Sequence, residues 1–124
     1  MTNKPDSVLV IDDDDSVRRV LVMILESEGV PRIEQATSAE EAVEKLKVER
    51  FSIIVSDYRL GGASGVDMLE QLRKNENQTP VLLISGIPNL SGGIRASIHK
   101  HVDFIAKPFT IGELVTAMER LLAS

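Results

Sequence analysis

The residues best suited to chemistry in this chain are aspartates that follow two apolar segments. Four consecutive aspartates occupy residues 12–15, directly after the apolar residues 8–11, and Asp57 closes a second apolar segment. If Asp12, Asp13 and Asp57 come together, charges about 4 Å apart repel by about 4 kcal/mol at an effective dielectric of about 20. A cation would relieve this repulsion, and an all-oxygen ligand set without His or Cys favours Mg²⁺.

A carboxylate at such a site can also be a nucleophile toward phosphorus, and the product is an aspartyl phosphate. The phosphoryl oxygens then need hydrogen-bond donors, which two other segments offer. Ser85, followed by Gly86, brings a hydroxyl and an unobstructed backbone N–H, and Lys107 brings an ammonium just before Pro108. A lone serine is most often a turn residue and a lone lysine a surface residue, but their combination with the aspartates indicates a phosphoryl site.

The elements that must position these residues are five predicted strands. Three nearly continuous apolar segments, residues 8–11, 51–55 and 81–84, predict central strands covered on both faces. Residues 32–36 and 102–106 alternate more and contain charges, which predicts edge strands. Periodic apolar residues predict helices between and after the strands, at residues 17–28, 39–46, 66–72, 89–99 and 111–122.

Strict alternation of strand and helix predicts an α/β fold, a flavodoxin-like (βα)5 domain with a parallel sheet and helices on both faces. Central first, third and fourth strands select the order 2-1-3-4-5. The first and third strands are then neighbours at the topological switch point, where ligands bind beyond the carboxyl ends of strands. Asp12, Asp13 and Asp57 are therefore expected to meet there.

Helix starts are marked by residues able to cap exposed N–H groups. Asp15 or Ser16 is the predicted N-cap of the first helix. Ser38 with Glu41, and Thr110 with Glu113, are predicted capping boxes of the second and last helices. In the helix predicted at residues 89–99, Gly92 and Gly93 each cost about 1 kcal/mol relative to Ala.

Composition sets the broad class of protein. The 124 residues fit one domain, and the absence of Cys excludes disulfides and thiolate metal sites. A net charge of −5 argues against direct binding of nucleic acid. No apolar run approaches the roughly 20 residues that cross a bilayer, and residues 1–7 do not resemble a signal peptide. We therefore expect a cytoplasmic domain that contacts no membrane.

The ordered set of residues resembles the receiver domain of two-component response regulators, over residues 8–122. The motifs that carry the resemblance are Asp12 with Asp13, Asp57, Gly65, Ser85, Phe104, and Lys107 with Pro108 and Phe109. The resemblance implies that Asp57 accepts a phosphoryl group from the phosphohistidine of a sensor histidine kinase. It also implies that Ser85 and Lys107 hold the phosphate, and that Ser85 and Phe104 form the switch.

The same resemblance implies a Mg²⁺ site formed by Asp12, Asp13, Asp57 and the backbone carbonyl of Arg59. We expect residues 1–124 to form a single receiver domain without an output domain. Its only enzymatic activity would be Mg²⁺-dependent self-phosphorylation and slow self-dephosphorylation. The surface of the predicted fourth helix, fifth strand and fifth helix would control an unknown downstream protein or output domain, with a phosphorylation-dependent homodimer as a further assembly.

Two other classes of protein compete with this interpretation. A haloacid-dehalogenase-type phosphatase also uses a strand-end Asp, and residues 12–16 can be aligned with its D-x-D-x-[ST] motif. The chain is short for that class, lacks a cap domain, and would leave Asp57 without a role. A flavodoxin-like mononucleotide binder needs Gly- and hydroxyl-rich phosphate loops and stacking aromatics, whereas this predicted site is anionic.

Overall fold

Five parallel strands form the central sheet, as predicted. The computed structural model describes residues 1, 3–86 and 99–123. The sheet has the order β2-β1-β3-β6-β7, which is the predicted 2-1-3-4-5 arrangement of a flavodoxin-like fold. Its strands are β1 (Ser7–Ile11), β2 (Arg32–Ala36), β3 (Ile53–Asp57), β6 (Val81–Ser85) and β7 (Val102–Ala106). A short antiparallel hairpin, β4 (Arg59–Leu60) and β5 (Ala63–Ser64), follows β3.

Four described helices cover the two faces of the sheet: α1 (Asp15–Ser27), α2 (Ala39–Val48), α3 (Gly65–Lys74) and α4 (Ile111–Ala123). Helix α4 is the last of the predicted helices. The helix predicted at residues 89–99, with Gly92 and Gly93, falls almost entirely on residues 87–98 and lies outside the described residues.

The central strands are apolar throughout because alternate residues face two separate cores. On one face, Leu9 of β1 and Ile54 of β3 pack with α2 and α3. On the other face, Val8 and Val10 of β1 and Val55 of β3 pack with α1 and α4. These five side chains have no exposed surface. A strand buried on both faces has no polar face, which is the pattern that predicted its central place.

The third strand begins and ends two residues later than predicted. Phe51 is buried in the core but precedes the strand, and Ser56 and Asp57 belong to it although they are polar. The strand continues because its backbone ladder extends there: Ser56 is paired with Ile11, and Asp57 with Ile84. Backbone pairing does not depend on side-chain polarity, so apolar character alone placed the strand too early.

Capping explains where the helices begin, with two corrections to the predictions. The Thr110–Glu113 box is confirmed by two reciprocal hydrogen bonds of 3.0 Å. Ser38 caps α2 by accepting from the Glu41 N–H, but the Glu41 carboxylate accepts from the N–H and hydroxyl of Thr37 rather than from Ser38. The return half of the box is therefore displaced by one residue.

The N-cap of α1 is Asp14, so the prediction of Asp15 or Ser16 was wrong. The Asp14 Oδ1 accepts hydrogen bonds from the N–H groups of Ser16 at 2.8 Å and Val17 at 3.3 Å. The helix thus starts at Asp15, two residues before Val17, the first apolar residue of its periodic pattern. Asp12 and Asp13 are left as the two residues that join β1 to the helix cap.

Candidate functional site

Three carboxylates meet at the carboxyl ends of β1 and β3, where the sequence predicted them. Asp12 and Asp13 directly follow β1, and Asp57 is the last residue of the neighbouring β3. One carboxylate oxygen from each residue lies within 4.8 Å of the other two. Asp12 is buried, Asp57 is partly buried, and Asp13 is exposed. The cluster therefore opens to solvent on the Asp13 side.

Burial and mutual repulsion perturb the most enclosed member of this cluster. The pKa of Asp12 is raised from 3.8 to about 6, chiefly because burial disfavours its charged form. The negative charges of Asp57 and Asp13 raise the pKa further. A hydrogen bond of 2.9 Å from the Asp14 N–H and the positive charge of Lys107 act in the opposite direction. Burial is thus the main reason for the raised pKa, and repulsion within the cluster adds to it.

Lys107 lies against the carboxylate predicted to be the nucleophile. Its Nζ is 3.2 Å from Oδ1 of Asp57 in a partly buried ion pair. The Lys107 backbone N–H donates to the carbonyl of Ser85 at 2.7 Å, so the ends of β7 and β6 are joined at this point. Ser85 is the last residue of β6, and the exposed Gly86 follows it. The two residues predicted to hold a phosphoryl group therefore come from adjacent strand ends.

A hairpin encloses the acidic residues on another side. Gly61, at the first position of its two-residue turn, has a φ of +73°, a conformation that favours glycine. A Cβ at Gly61 would lie 4.0 Å from Oδ2 of Asp13, so the turn passes beside the cluster. Leu60 anchors the hairpin in the core, and Arg59 stands exposed between Asp57 and this anchor. Metal binding by the Arg59 carbonyl stays a prediction.

The start of α3 packs directly on the backbone of Asp57. The Gly65 N–H donates to the carbonyl of Tyr58 at 2.6 Å. A Cβ at Gly65 would lie 2.7 Å from the carbonyl oxygen of Asp57 and 2.7 Å from Cδ2 of Leu83. Real Cβ atoms essentially never come so close, so only glycine fits. Sequence reasoning included Gly65 only as part of the family motif, because this contact depends on tertiary packing.

Phe104 and Tyr58 form an aromatic pair near the site. Phe104, on β7, is partly buried, and its ring centroid is 6.4 Å from that of Tyr58 with the planes tilted by 39°. Tyr58 directly follows Asp57, and its N–H donates to the carbonyl of Ile84 at 2.7 Å. Sequence reasoning found Phe104 but missed Tyr58. Its position beside the predicted nucleophile was the available signal.

Arg18 is a second residue that sequence reasoning missed. Its guanidinium donates to the backbone carbonyl of Asp12 at 2.8 Å and to the side-chain oxygen of Gln35 at 2.9 Å. In the sequence, Arg18 looks like any charged residue of an amphipathic helix. Only the fold shows that it reaches back to the loop that carries the aspartates.

A five-stranded flavodoxin-like sheet with an acidic cluster and a lysine at its carboxyl end defines a class of signalling domains. The chain belongs to the response regulator receiver domain family, whose profile matches residues 8–119. Receiver domains of this family accept a phosphoryl group, and they interact with histidine kinases and output domains. This membership supports neither a dehalogenase-type phosphatase nor a mononucleotide binder.

Individual relatives agree with this assignment. The acid tolerance regulatory protein ActR of Sinorhizobium medicae is 31% identical over 112 residues, which are 90% of this chain and 57% of the relative. The DNA-binding transcriptional regulator NtrC of Escherichia coli is 30% identical over 94% of this chain but only 24% of its own length. The chain thus spans between a quarter and three fifths of these relatives.

Solved receiver structures match over nearly their whole length. A Francisella response regulator receiver domain has a TM-score of 0.85 and 28% identity, with 97% of this chain and 98% of that chain covered. A putative response regulator from Chloroflexus aurantiacus has a TM-score of 0.86 and 28% identity, with 98% of this chain and 100% of that chain covered.

Within the described residues, no helix has the length and apolar character needed to cross a membrane.

Proposed function

We propose that residues 1–124 act as one receiver unit in which Asp57 takes a phosphoryl group from the phosphohistidine of a sensor histidine kinase. The observation that carries this proposal is the position of Asp57 between the acidic pair and Lys107. The Lys107 Nζ lies 3.2 Å from the Asp57 carboxylate at the open end of the sheet. Family membership supports the reaction, and the geometry supports Asp57 as its site.

In the proposed step, a carboxylate oxygen of Asp57 attacks phosphorus. The new P–O bond forms while the P–N bond to the donor imidazole breaks. The bonding electron pair stays on that nitrogen, and because the other ring nitrogen carries a proton, the donor leaves as a neutral imidazole. Lys107 meets the added charge of about −1.5 to −2 with its ammonium. Ser85 offers its hydroxyl from the adjacent strand end. Water then slowly hydrolyses the aspartyl phosphate to aspartate and inorganic phosphate. We propose no other enzymatic activity for the domain.

The acidic cluster fits the Mg²⁺ that the proposed function requires. Its donors are carboxylate oxygens, which suit a hard cation, and a cation would relieve the repulsion from Asp57 and Asp13 that adds to the effect of burial on the pKa of Asp12. Asp12, Asp13, Asp57 and the Arg59 carbonyl are the proposed ligands, with Asp12 acting through water. When bound, Mg²⁺ supplies neutralisation of the carboxylates and of the incoming phosphoryl oxygens.

The proposed switch consists of Ser85 and Phe104. The hydrogen bond from the Lys107 N–H to the Ser85 carbonyl links the strand ends, so movement of Ser85 toward a phosphoryl group affects β7. Phe104 is only partly buried and can turn inward into space that Ser85 vacates. The proposed output surface is formed by the predicted helix at residues 89–99, β7 and α4.

This output surface would control an unknown downstream protein or output domain, or pair with a second copy as a homodimer. We propose no direct nucleic-acid or membrane contact for the domain, because its net charge is −5. The location we propose for the domain is the cytoplasm.

The test uses acetyl phosphate as donor, with intact mass and NMR as readouts. With Mg²⁺, the wild-type chain should gain one phosphoryl group, and EDTA or Asp57→Asn should prevent it. The Phe104 ring signals should shift more than those of Met23, an exposed residue on α1. Asp13→Asn should abolish uptake, whereas Asp6→Asn, the matched control at an exposed aspartate outside the cluster, should retain it. Uptake that persists in Asp57→Asn would contradict the proposal.

A further inference from the structure

Arg18 connects three parts of the chain around the acidic cluster. Its Nη1 donates to the Asp12 carbonyl at the end of β1, and its Nε donates to Oε1 of Gln35 on β2. Its Nη2 pairs with Asp15 in the first turn of α1 at 2.5 Å. The Arg18 side chain is only 13% exposed, because it extends from α1 back onto the loop that follows β1.

The bond to the Asp12 carbonyl has a consequence for the direction of two carboxylates. That carbonyl belongs to the planar peptide unit between Asp12 and Asp13, so holding its oxygen fixes the plane of the unit. The other side of Asp12 is fixed by its N–H, which donates to the carbonyl of Ala36 at 3.2 Å. With both ends held, the Asp12 and Asp13 side chains leave the backbone in set directions.

The fork geometry of the guanidinium is what allows this arrangement. Arginine presents several donors in one rigid plane, whereas lysine presents a single point charge. The acceptors of Arg18 are a carbonyl, an amide oxygen and a carboxylate, which lie on separate elements. An ammonium also has three N–H donors, but they all leave one nitrogen atom, so they do not match acceptors that are bound by three separate nitrogens of the guanidinium. The role of Arg18 therefore depends on the arrangement of its guanidinium donors more than on its charge.

We infer that Arg18 is a positioning residue for the metal site: it holds the peptide between Asp12 and Asp13 so that both carboxylates converge with Asp57. This inference rests on the proposed function, in which that cluster holds Mg²⁺. Arg18 does not touch the metal or the phosphoryl group. Residues that orient metal ligands typically change metal affinity by about 10–100-fold when they are replaced.

The test is a Mg²⁺ titration of the unphosphorylated chain, followed through the backbone NMR signals of Asp13 and Asp57. Arg18→Met keeps the apolar stem and removes the fork, and Arg18→Lys keeps the charge. Both should weaken Mg²⁺ binding by about tenfold. The matched control is Arg19→Met, at the next, exposed position of the same helix, and it should bind as the wild type does. Urea unfolding without Mg²⁺ measures any separate loss of stability.

Each outcome bears on the inference. Wild-type affinity in Arg18→Lys would show that charge alone suffices, and wild-type affinity in Arg18→Met with reduced stability would show a purely structural role. Either overturns it. If Arg18→Met does not fold, Gln35→Ala removes the Nε acceptor at an exposed position, and it should weaken binding in the same direction. If the wild-type chain binds no Mg²⁺, the proposed function fails together with the inference.

Discussion

Asp12 is almost completely buried, with 1% of the residue exposed. Its pKa rises from 3.8 to about 6, first through burial and then through the charges of Asp57 and Asp13. Between these two values the folded state binds more protons than the unfolded state. The contribution of Asp12 to the free energy of unfolding therefore falls as pH rises through this window. Above it, the full penalty is about 3 kcal/mol.

Asp12→Asn should remove this penalty. Without metal at pH 7, we expect the variant to be more stable than the wild type by up to about 3 kcal/mol, with a smaller difference toward pH 4. Urea unfolding in EDTA measures the stability difference between the two proteins. The pKa values of Glu34 and Glu41 are lowered by their partners, which gives the opposite pH dependence. Both proteins share this contribution, so it cancels in the difference. Asp6→Asn, at an exposed aspartate, is the control and should change stability little.

A pH-independent difference between the wild type and Asp12→Asn would contradict this account of the site. So would a variant less stable than the wild type at neutral pH, because the buried charge would then be a stabilising group. At this scale, sequence reasoning predicted that Asp12, Asp13 and Asp57 meet and that Ser85 and Lys107 lie at strand ends, since residue type and position after a strand sufficed. It missed Arg18 and Tyr58, whose importance depends on contacts made across the fold.

At the scale of elements, the start of α3 packs against the backbone of Asp57. Ser64 and Asp67 form a reciprocal capping box with two hydrogen bonds of 3.0 Å, which fixes the first turn of α3. Gly65 then packs against the Asp57 carbonyl without room for a Cβ. The start of this helix therefore supports the strand end that carries the proposed nucleophile.

Gly65→Ala should destabilise the domain by about 1–3 kcal/mol, because the added methyl must displace the Asp57 backbone or Leu83. Chemical denaturation gives the difference. Gly62→Ala is the matched control, since a Cβ at Gly62 would meet nothing within 4 Å. Equal stability of the two variants would show that the chain relaxes around the methyl group, against the packing described for α3.

Sequence patterns predicted the long elements well and the short ones poorly. Five strands and the four described helices followed from apolar periodicity, which is strong when several turns or a buried strand contribute. The β4–β5 hairpin and the Ser64–Asp67 box were not predicted, because two-residue strands carry no periodic signal. The third strand was placed too early because its last residues, Ser56 and Asp57, are polar but remain in the ladder.

At the scale of the whole molecule, strand order alone brings the distant site residues together. Asp12 and Asp57 are separated by a strand and two helices in the chain, yet they end neighbouring strands. The parallel order was predictable because only the three most apolar strands can occupy the doubly covered centre. The proposed output surface stays a prediction, because part of it falls on residues 87–98, outside the described residues.

The measurement that tests the central claim most directly is the position of the phosphoryl adduct in the chain. After reaction with acetyl phosphate and Mg²⁺, borohydride reduction converts an aspartyl phosphate to homoserine, which peptide sequencing by mass spectrometry locates. We expect homoserine at position 57 alone, because that carboxylate lies in the acidic cluster and forms the ion pair with Lys107. Homoserine at position 12 or 13, or an adduct that resists reduction on another residue type, would contradict the claim.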